Sequence, residues 1–280
     1  MIVKLIQYRY LVKKAVQKIT QQLRDGDRAV VTGAYLRLFS KKVIEALLPN
    51  QCVSCHQLTL EGGRICASCW RALEFIEKPL CDRTGIPFAF DPGDGVVSMR
   101  ALARPPIWHR ARAGVVFDDV SRKLIHALKY YDRFEVGDMM AQTMVRAGSQ
   151  LLNEADFIVP VPLHRVRLWQ RRFNQAAHLA KLISEKSGKP TYNNLLLRKR
   201  ATRQQVGLQS KDRRDNVKGA FMVDETVGIT LNGAKVVLID DVITTGATAS
   251  ACVQALLDAG CAQVDVLAFA LVNNPLQQQI

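Results

Sequence analysis

Asp240 and Asp241, followed by Thr244, Thr245, Gly246, Ala247 and Thr248, are the residues of this chain best suited to do chemistry. Adjacent carboxylates accept hydrogen bonds from hydroxyl groups. A glycine turn that opens into a helix donates backbone N–H groups to an anion, and the helix dipole favours negative charge there. The four apolar residues before the acids, Val236 to Ile239, read as a buried parallel strand. Ala249 to Asp258, stopped before Gly260, reads as a helix. Ligands of open α/β sheets sit at the carboxyl ends of such strands. The pattern therefore sets two acids at a sheet edge beside an anion-binding turn, where a phosphorylated sugar fits. The alternatives are a buried strand with an acidic capping turn, or a nucleotide loop of another class. A dinucleotide fingerprint and a Walker loop are excluded, because no G-x-G-x-x-G follows a predicted strand and no G-K-[ST] occurs.

The second chemical constellation is a pair of C-x-x-C motifs, Cys52/Cys55 and Cys66/Cys69. Each pair sets two thiolates at one side of a tetrahedron, and Gly62 and Gly63 allow the return between them. Four sulfur ligands at this spacing suit a closed, structural zinc site with no open position for catalysis. His56 is a bystander in this reading. Cys81 stands in Cys-Asp-Arg-Thr84, a C-x-x-C with threonine in its second place, which leaves a second site short of ligands. Cys81, Cys252 and Cys261 read as buried or idle thiols.

Two basic segments complete the set. Ile158 to Pro162 reads as a strand ending in a proline turn, followed by Leu163, His164, Arg165 and, further on, Arg171. Arginine meets phosphate oxygens bidentately, so this turn suits a pyrophosphate. His164 serves as a general acid or base, or only structurally. Asn174 caps the helix predicted from Phe173 to Ser187. Arg198 to Lys218 carries eight basic and two acidic residues between predicted elements. A loop of that length in a compact domain is functional or disordered; its composition suits a lid over a polyanion that excludes water.

The elements that must position these groups follow from periodicity. Helical spacing runs through Val120, Leu124, Ile125 and Leu128, and again from Val136 to Val145; Val115–Phe117, Phe221–Val223 and Val264–Val272 read as strands. Strands alternating with helices imply a mostly parallel sheet flanked by helices. Residues 1–48 read as a basic helical extension, 49–95 as a metal-held module poor in core residues, and 96–280 as the α/β domain. The net charge of +14, concentrated in the first fifty residues and the 198–218 block, predicts attraction to phosphates or nucleic acid. No segment is long and apolar enough to span a bilayer, and Lys4, Gln7 and Arg9 interrupt any signal-peptide core. Paired thiols of metal-ligand type imply a reducing, cytoplasmic setting.

Asp-Asp followed by Thr-Thr-Gly-Ala-Thr resembles the 5-phosphoribosyl-1-pyrophosphate (PRPP) motif of type I phosphoribosyltransferases. The order of further blocks is more specific. It runs from the four-cysteine ribbon through Leu124–Tyr130, Val159–Leu163, Phe173–Gln175, Thr202-x-x-Gln205-x-x-Leu208 and Arg213-x-x-Asn216 to Ala220-Phe221 and the PRPP-like motif. Over roughly residues 48–272 the chain resembles the ComF/GntX family. It departs at Thr84, where relatives often keep a second cysteine pair, and at Arg172, where many have glycine. The resemblance implies a type I phosphoribosyltransferase-like fold with an N-terminal zinc ribbon. It further implies magnesium bound with PRPP and a link to DNA uptake. By the same resemblance Asp240 and Asp241 hold the ribose hydroxyls, and Thr244–Thr248 cradle the 5′-phosphate. Leu163, His164, Arg165 and Arg171 would then face the pyrophosphate, with Thr202, Gln205, Arg213 and Asn216 in the lid. Two other classes compete: a non-catalytic module for single-stranded DNA, which the sparse aromatic residues in the basic segments disfavour, and a PRPP-sensing regulator.

Overall fold

A computed structural model of the protein describes residues 50–59, 65–130, 134–163, 173–199 and 219–273. The basic extension at 1–48, the Gly62–Gly63 return, His164, Arg165, Arg171 and Arg172 lie outside these residues, as do Thr202, Gln205, Arg213 and Asn216 of the expected lid. The chain divides into two compact units after Cys66.

In the second unit, four strands form one parallel sheet: β1 (Ala111–Val116), β2 (Phe157–Pro160), β5 (Lys235–Ile243) and β6 (Gln263–Leu271), in the order β1-β6-β5-β2. A separate antiparallel pair, β3 (Leu196–Arg198) with β4 (Phe221–Val223), carries the two ends of the 200–218 segment. The helices of this unit are α1 (Ala67–Arg71), α2 (Met99–Ala103), α3 (Asp119–Tyr130), α4 (Phe134–Ala147), α5 (Ser149–Glu154), α6 (Gln175–Ser187) and α7 (Ala247–Asp258). The mostly parallel sheet flanked by helices is therefore present.

The sheet is buried on both faces, which is why its strands read as continuous apolar runs rather than alternating ones. Val236 and Leu238 of β5 pack with Val253 and Leu256 of α7 in one core layer that also holds Phe221 and Val223 of β4. On the other face, a side chain at Gly148 would strike Leu267 of β6, and one at Gly114 would strike Thr143 of α4. Val237, Leu238 and Ile239 are fully buried. Each such side chain stabilises the fold by about 1.5–3 kcal/mol relative to exposure. The free side of β1 is covered by the extended segment before it: Phe75 bridges Val115, and the Ile76 N–H donates to the Gly114 carbonyl. An edge strand so paired offers no template for aggregation.

The amino ends of β1 and β6 are locked by a buried charge network. Arg110 is buried and donates to both oxygens of buried Asp265 and both oxygens of Glu154. This network lies at the sheet edge opposite the one that carries Thr244, and nothing in the spacing of Arg110, Glu154 and Asp265 announces it.

Candidate functional site

β5 does not stop at its apolar run. It pairs with β6 as far as Ile243, so Asp240 and Asp241 lie inside the strand instead of just beyond it. On the other side, pairing with β2 ends at Pro160 opposite Ile239, followed by one bond from the Val161 N–H to the Ile239 carbonyl. Pro160 and Pro162 have no N–H to continue the ladder. The acids thus begin where the neighbouring strand gives out. This leaves β5 half-paired at its carboxyl end, with Val161, Pro162 and Leu163 leaving the sheet at the same edge. Asn174 returns the chain there: its Nδ2 donates to the Val161 carbonyl at 3.0 Å, and its Oδ1 accepts from the Ala176 N–H at 3.0 Å, capping α6.

Successive side chains of a strand point to opposite faces, and the two acids diverge accordingly. Asp241 is buried and forms an ion pair with Lys129 of α3. Asp240 lies on the α7 face, partly open to solvent, with Oδ1 accepting the Asp241 N–H at 2.8 Å. Burial, then the negative charge of Asp241, push the Asp240 carboxyl well above its ordinary value, against a smaller pull from Lys129. A carboxylate whose charge is disfavoured this way is stabilised by any cation or hydroxyl donor that arrives beside it. On the same face burial pushes the Cys252 thiol of α7 up, aided by the Asp240 charge and opposed by Arg198 at the end of β3.

Beyond Ile243 the chain turns through Thr244 and Thr245 into Gly246, which caps α7 in a left-handed conformation with φ of 74°. The helix starts at Ala247, two residues earlier than its apolar pattern suggests, which brings Thr248 into its first turn. The Ser250 N–H donates to the Gly246 carbonyl at 2.8 Å, the first bond of the helix. The N–H groups before it have no intrahelical acceptor, as at any helix start. Thr244, Thr245 and Thr248 are half-buried around them. A Cβ at Gly246 would meet the ring of Trp108 at 2.5 Å, and the Trp108 indole N–H donates to the Arg83 carbonyl at 3.2 Å. Trp108 is thus a wall of the turn. Lys129 and Trp108 were not identified from sequence: Lys129 sits in the Leu124–Tyr130 block without an assigned role, and no spacing relates Trp108 to Gly246.

Cys52, Cys55, Cys66 and Cys69 bring their sulfurs within 4.8 Å of one another. Cys55 and Cys66 Sγ atoms are 3.6 Å apart, and the Cys66 N–H donates to Cys52 Sγ at 3.3 Å. Zinc–sulfur bonds of ~2.3 Å give a tetrahedral edge of about 3.8 Å, so the set fits zinc as it stands. His56 is exposed and adopts φ of 63°. Four thiolates hold such an ion structurally and leave it no site for substrate.

Residues 43–99 match the model of the double zinc ribbon domain. The chain is 32% identical over 225 residues to the DNA utilization protein YhgH of Salmonella typhimurium, covering 78% of this chain and 96% of that protein. It is 27% identical over 229 residues to competence protein F of Haemophilus influenzae, covering 79% and 96%. A solved glutamine PRPP amidotransferase from B. subtilis aligns with 47% of this chain and 26% of that one, at 22% identity and a TM-score of 0.29, too slight a likeness to support an argument. Among the described residues no helix is long and apolar enough to cross a membrane.

Proposed function

The chain belongs to the ComF/GntX family, and on that premise we propose that it binds PRPP and acts as a Mg-dependent phosphoribosyltransferase-like protein in the use of DNA. One observation carries the reading: a partly open carboxylate, Asp240, stands where β2 gives out, on the strand that runs directly into the glycine-capped start of α7. Asp240 accepts hydrogen bonds from the ribose hydroxyls. Asp241, held by Lys129, fixes the strand and supplies the charge that makes Asp240 favour a donor. The 5′-phosphate takes the N–H groups at the start of α7 and the hydroxyls of Thr244, Thr245 and Thr248, where the helix dipole favours an anion. Leu163 leaves the sheet at the same edge, and by the family resemblance Leu163, His164, Arg165 and Arg171 would take the pyrophosphate. By the same resemblance Thr202, Gln205, Arg213 and Asn216 would serve in the lid.

In the reaction the bond from the anomeric carbon to pyrophosphate breaks with both electrons leaving on oxygen, and the acceptor's lone pair forms the new bond. Preorganised donors aimed at the leaving group are the main catalytic lever. Magnesium bound with the pyrophosphate would be held through Asp240 and would offset its negative charge.

The test is pyrophosphate release from PRPP and magnesium with a panel of bases and nucleosides. Release with at least one acceptor, reduced about 100-fold or more in the Asp240→Asn/Asp241→Asn variant, fits the reading. Release that the double variant leaves unchanged contradicts it. The net charge of +14 and the relatives' roles in competence and DNA utilization favour a second reading, a non-catalytic module for single-stranded DNA. Salt-dependent binding of single-stranded DNA with no PRPP binding would select that one.

A further inference from the structure

The match to a double zinc ribbon implies two metal sites, and the chain does contain two knuckles of one backbone design. In the first, Gln51 bridges Leu58, the Cys52 N–H donates to the Gln57 carbonyl, the His56 N–H to the Cys52 carbonyl, and the Thr59 N–H to the Asn50 carbonyl. In the second, Leu80 bridges Pro87, the Cys81 N–H donates to the Ile86 carbonyl, the Gly85 N–H to the Cys81 carbonyl, and the Phe88 N–H to the Pro79 carbonyl. Every residue of the second set is its counterpart in the first moved along by one constant offset. The left-handed residue recurs too, His56 at φ 63° and Gly85 at φ 71°. The closing half repeats the scheme. Cys66 donates its N–H to Cys52 Sγ at 3.3 Å and opens α1, while Ser98 donates its N–H to Cys81 Sγ at 3.2 Å and opens α2. The C-x-x-C of the first ribbon thus maps onto Cys81-x-x-Thr84, and its second pair onto Ser98-x-x-Ala101.

We infer that residues 79–103 are a second ribbon that has exchanged its metal for a packed core of Cys81, Thr84 and Ser98, in which the Ser98 N–H is hydrogen-bonded to the Cys81 sulfur, so the chain holds one zinc ion where the family model implies two. The donor set decides this. One thiol, two hydroxyls and the methyl of Ala101 do not make the four nitrogen or sulfur ligands that a structural zinc ion takes. What replaces the ion is visible around the sulfur. Cys81 is fully buried; burial alone would raise its pKa, but the polar groups of Ser98, and then of Thr84, beside the sulfur outweigh it and leave the thiol below its ordinary value. Ser98 also caps α2, its Oγ accepting the Ala101 N–H at 3.3 Å.

The metal-free knuckle is braced from outside as well. Arg112 of β1 donates to the Asp82 carbonyl at 2.7 Å and to Asp82 Oδ1 at 2.6 Å, and the Ala111 N–H donates to the Arg83 carbonyl at 3.1 Å. That same Arg83 carbonyl receives the indole N–H of Trp108, the wall of the Gly246 turn. The second ribbon is kept for its shape: it anchors the amino end of β1 and holds Trp108, whose ring stands against Gly246.

Zinc per chain, measured by mass spectrometry on the full-length protein after zinc loading and desalting, tests the inference. One equivalent is expected for the native chain and for Cys81→Ser, and two for Thr84→Cys/Ser98→Cys/Ala101→Cys, whose added thiols complete the knuckle. Two equivalents in the native chain, loss of an equivalent in Cys81→Ser, or a folded triple variant that still holds one would each overturn it. Should the triple variant fail to fold, the native chain and Cys81→Ser decide the matter between them.

Discussion

Where the first knuckle sets the Cys55 and Cys66 sulfurs 3.6 Å apart, the second has Thr84 and Ser98; where the first exposes His56, the second buries Gly85 under the carbonyl of Ala111. The difference teaches what a metal is for in a segment this short. A ribbon with few apolar residues needs a cross-link to offset chain entropy. The second knuckle finds its cross-links in β1, through Arg112 and the Arg83 carbonyl, and in the Cys81 hydrogen bonds. A metal ligand set is then dispensable while the backbone design persists.

The largest effect expected from breaking this comparison is at Cys52. Cys52→Ser removes one of four thiolates, and since zinc binding is folding free energy in such modules, zinc content should fall to below about a tenth of an equivalent, with limited proteolysis cutting within residues 50–70. Retained zinc in that variant would contradict the ligand assignment. Next comes Gly85→Ala, where φ is 71° and a Cβ would stand 2.5 Å from the Ala111 carbonyl oxygen. Strain and clash together should cost about 2 kcal/mol or more, whereas His56→Gly at the matching position should change stability by less than about 1 kcal/mol. Equal effects in chemical denaturation would show that the second knuckle is not docked on the sheet.

Cys81→Ala should cost about 1–3 kcal/mol, from leaving the part-buried N–H of Ser98 without its acceptor; a neutral result would remove the Cys81–Ser98 hydrogen bond from the account. The smallest effect is in pH dependence. Burial pushes the Cys261 thiol up to about 11, so the unfolded chain ionises first and stability present below pH 9 is lost as pH rises toward 11. Cys81 shifts the other way, and its contribution is lost as pH falls below the ordinary thiol value. Urea midpoints from pH 7 to 11 should therefore flatten with opposite sign in Cys261→Ala and Cys81→Ala. Slopes of the same sign would refute the paired assignment.

Much of this was legible in the residues. The apolar run at Val236 shows a strand buried on both faces, Asn174 and Gly188 bound α6 as capping chemistry requires, and the C-x-x-C spacing gives the four-sulfur cluster. The extent of β5 past its acids was not, because a carboxylate breaks the apolar pattern while β6 still offers it hydrogen bonds. The divergence of Asp240 from Asp241 follows from the strand's two-residue period once the strand is known to include them. Phe221–Val223 reads as a strand and is β4, but its partner Leu196–Arg198 is too short for a period to declare itself. Lys129, Trp108 and the Arg110 network depend on contacts between distant segments, which one sequence does not encode locally. The duplicated knuckle was half visible, since Cys81 and Thr84 mark its first turn, but Ser98 and Ala101 match no cysteine pattern.

The central claim is that the edge formed by Asp240 and the Gly246 turn holds a phosphorylated pentose, and titration calorimetry with PRPP and magnesium addresses it most directly. The native chain should bind, and Asp240→Asn should weaken binding about 100-fold, near 2.7 kcal/mol. Native and variant chains that bind alike, or a native chain that does not bind at all, would contradict it.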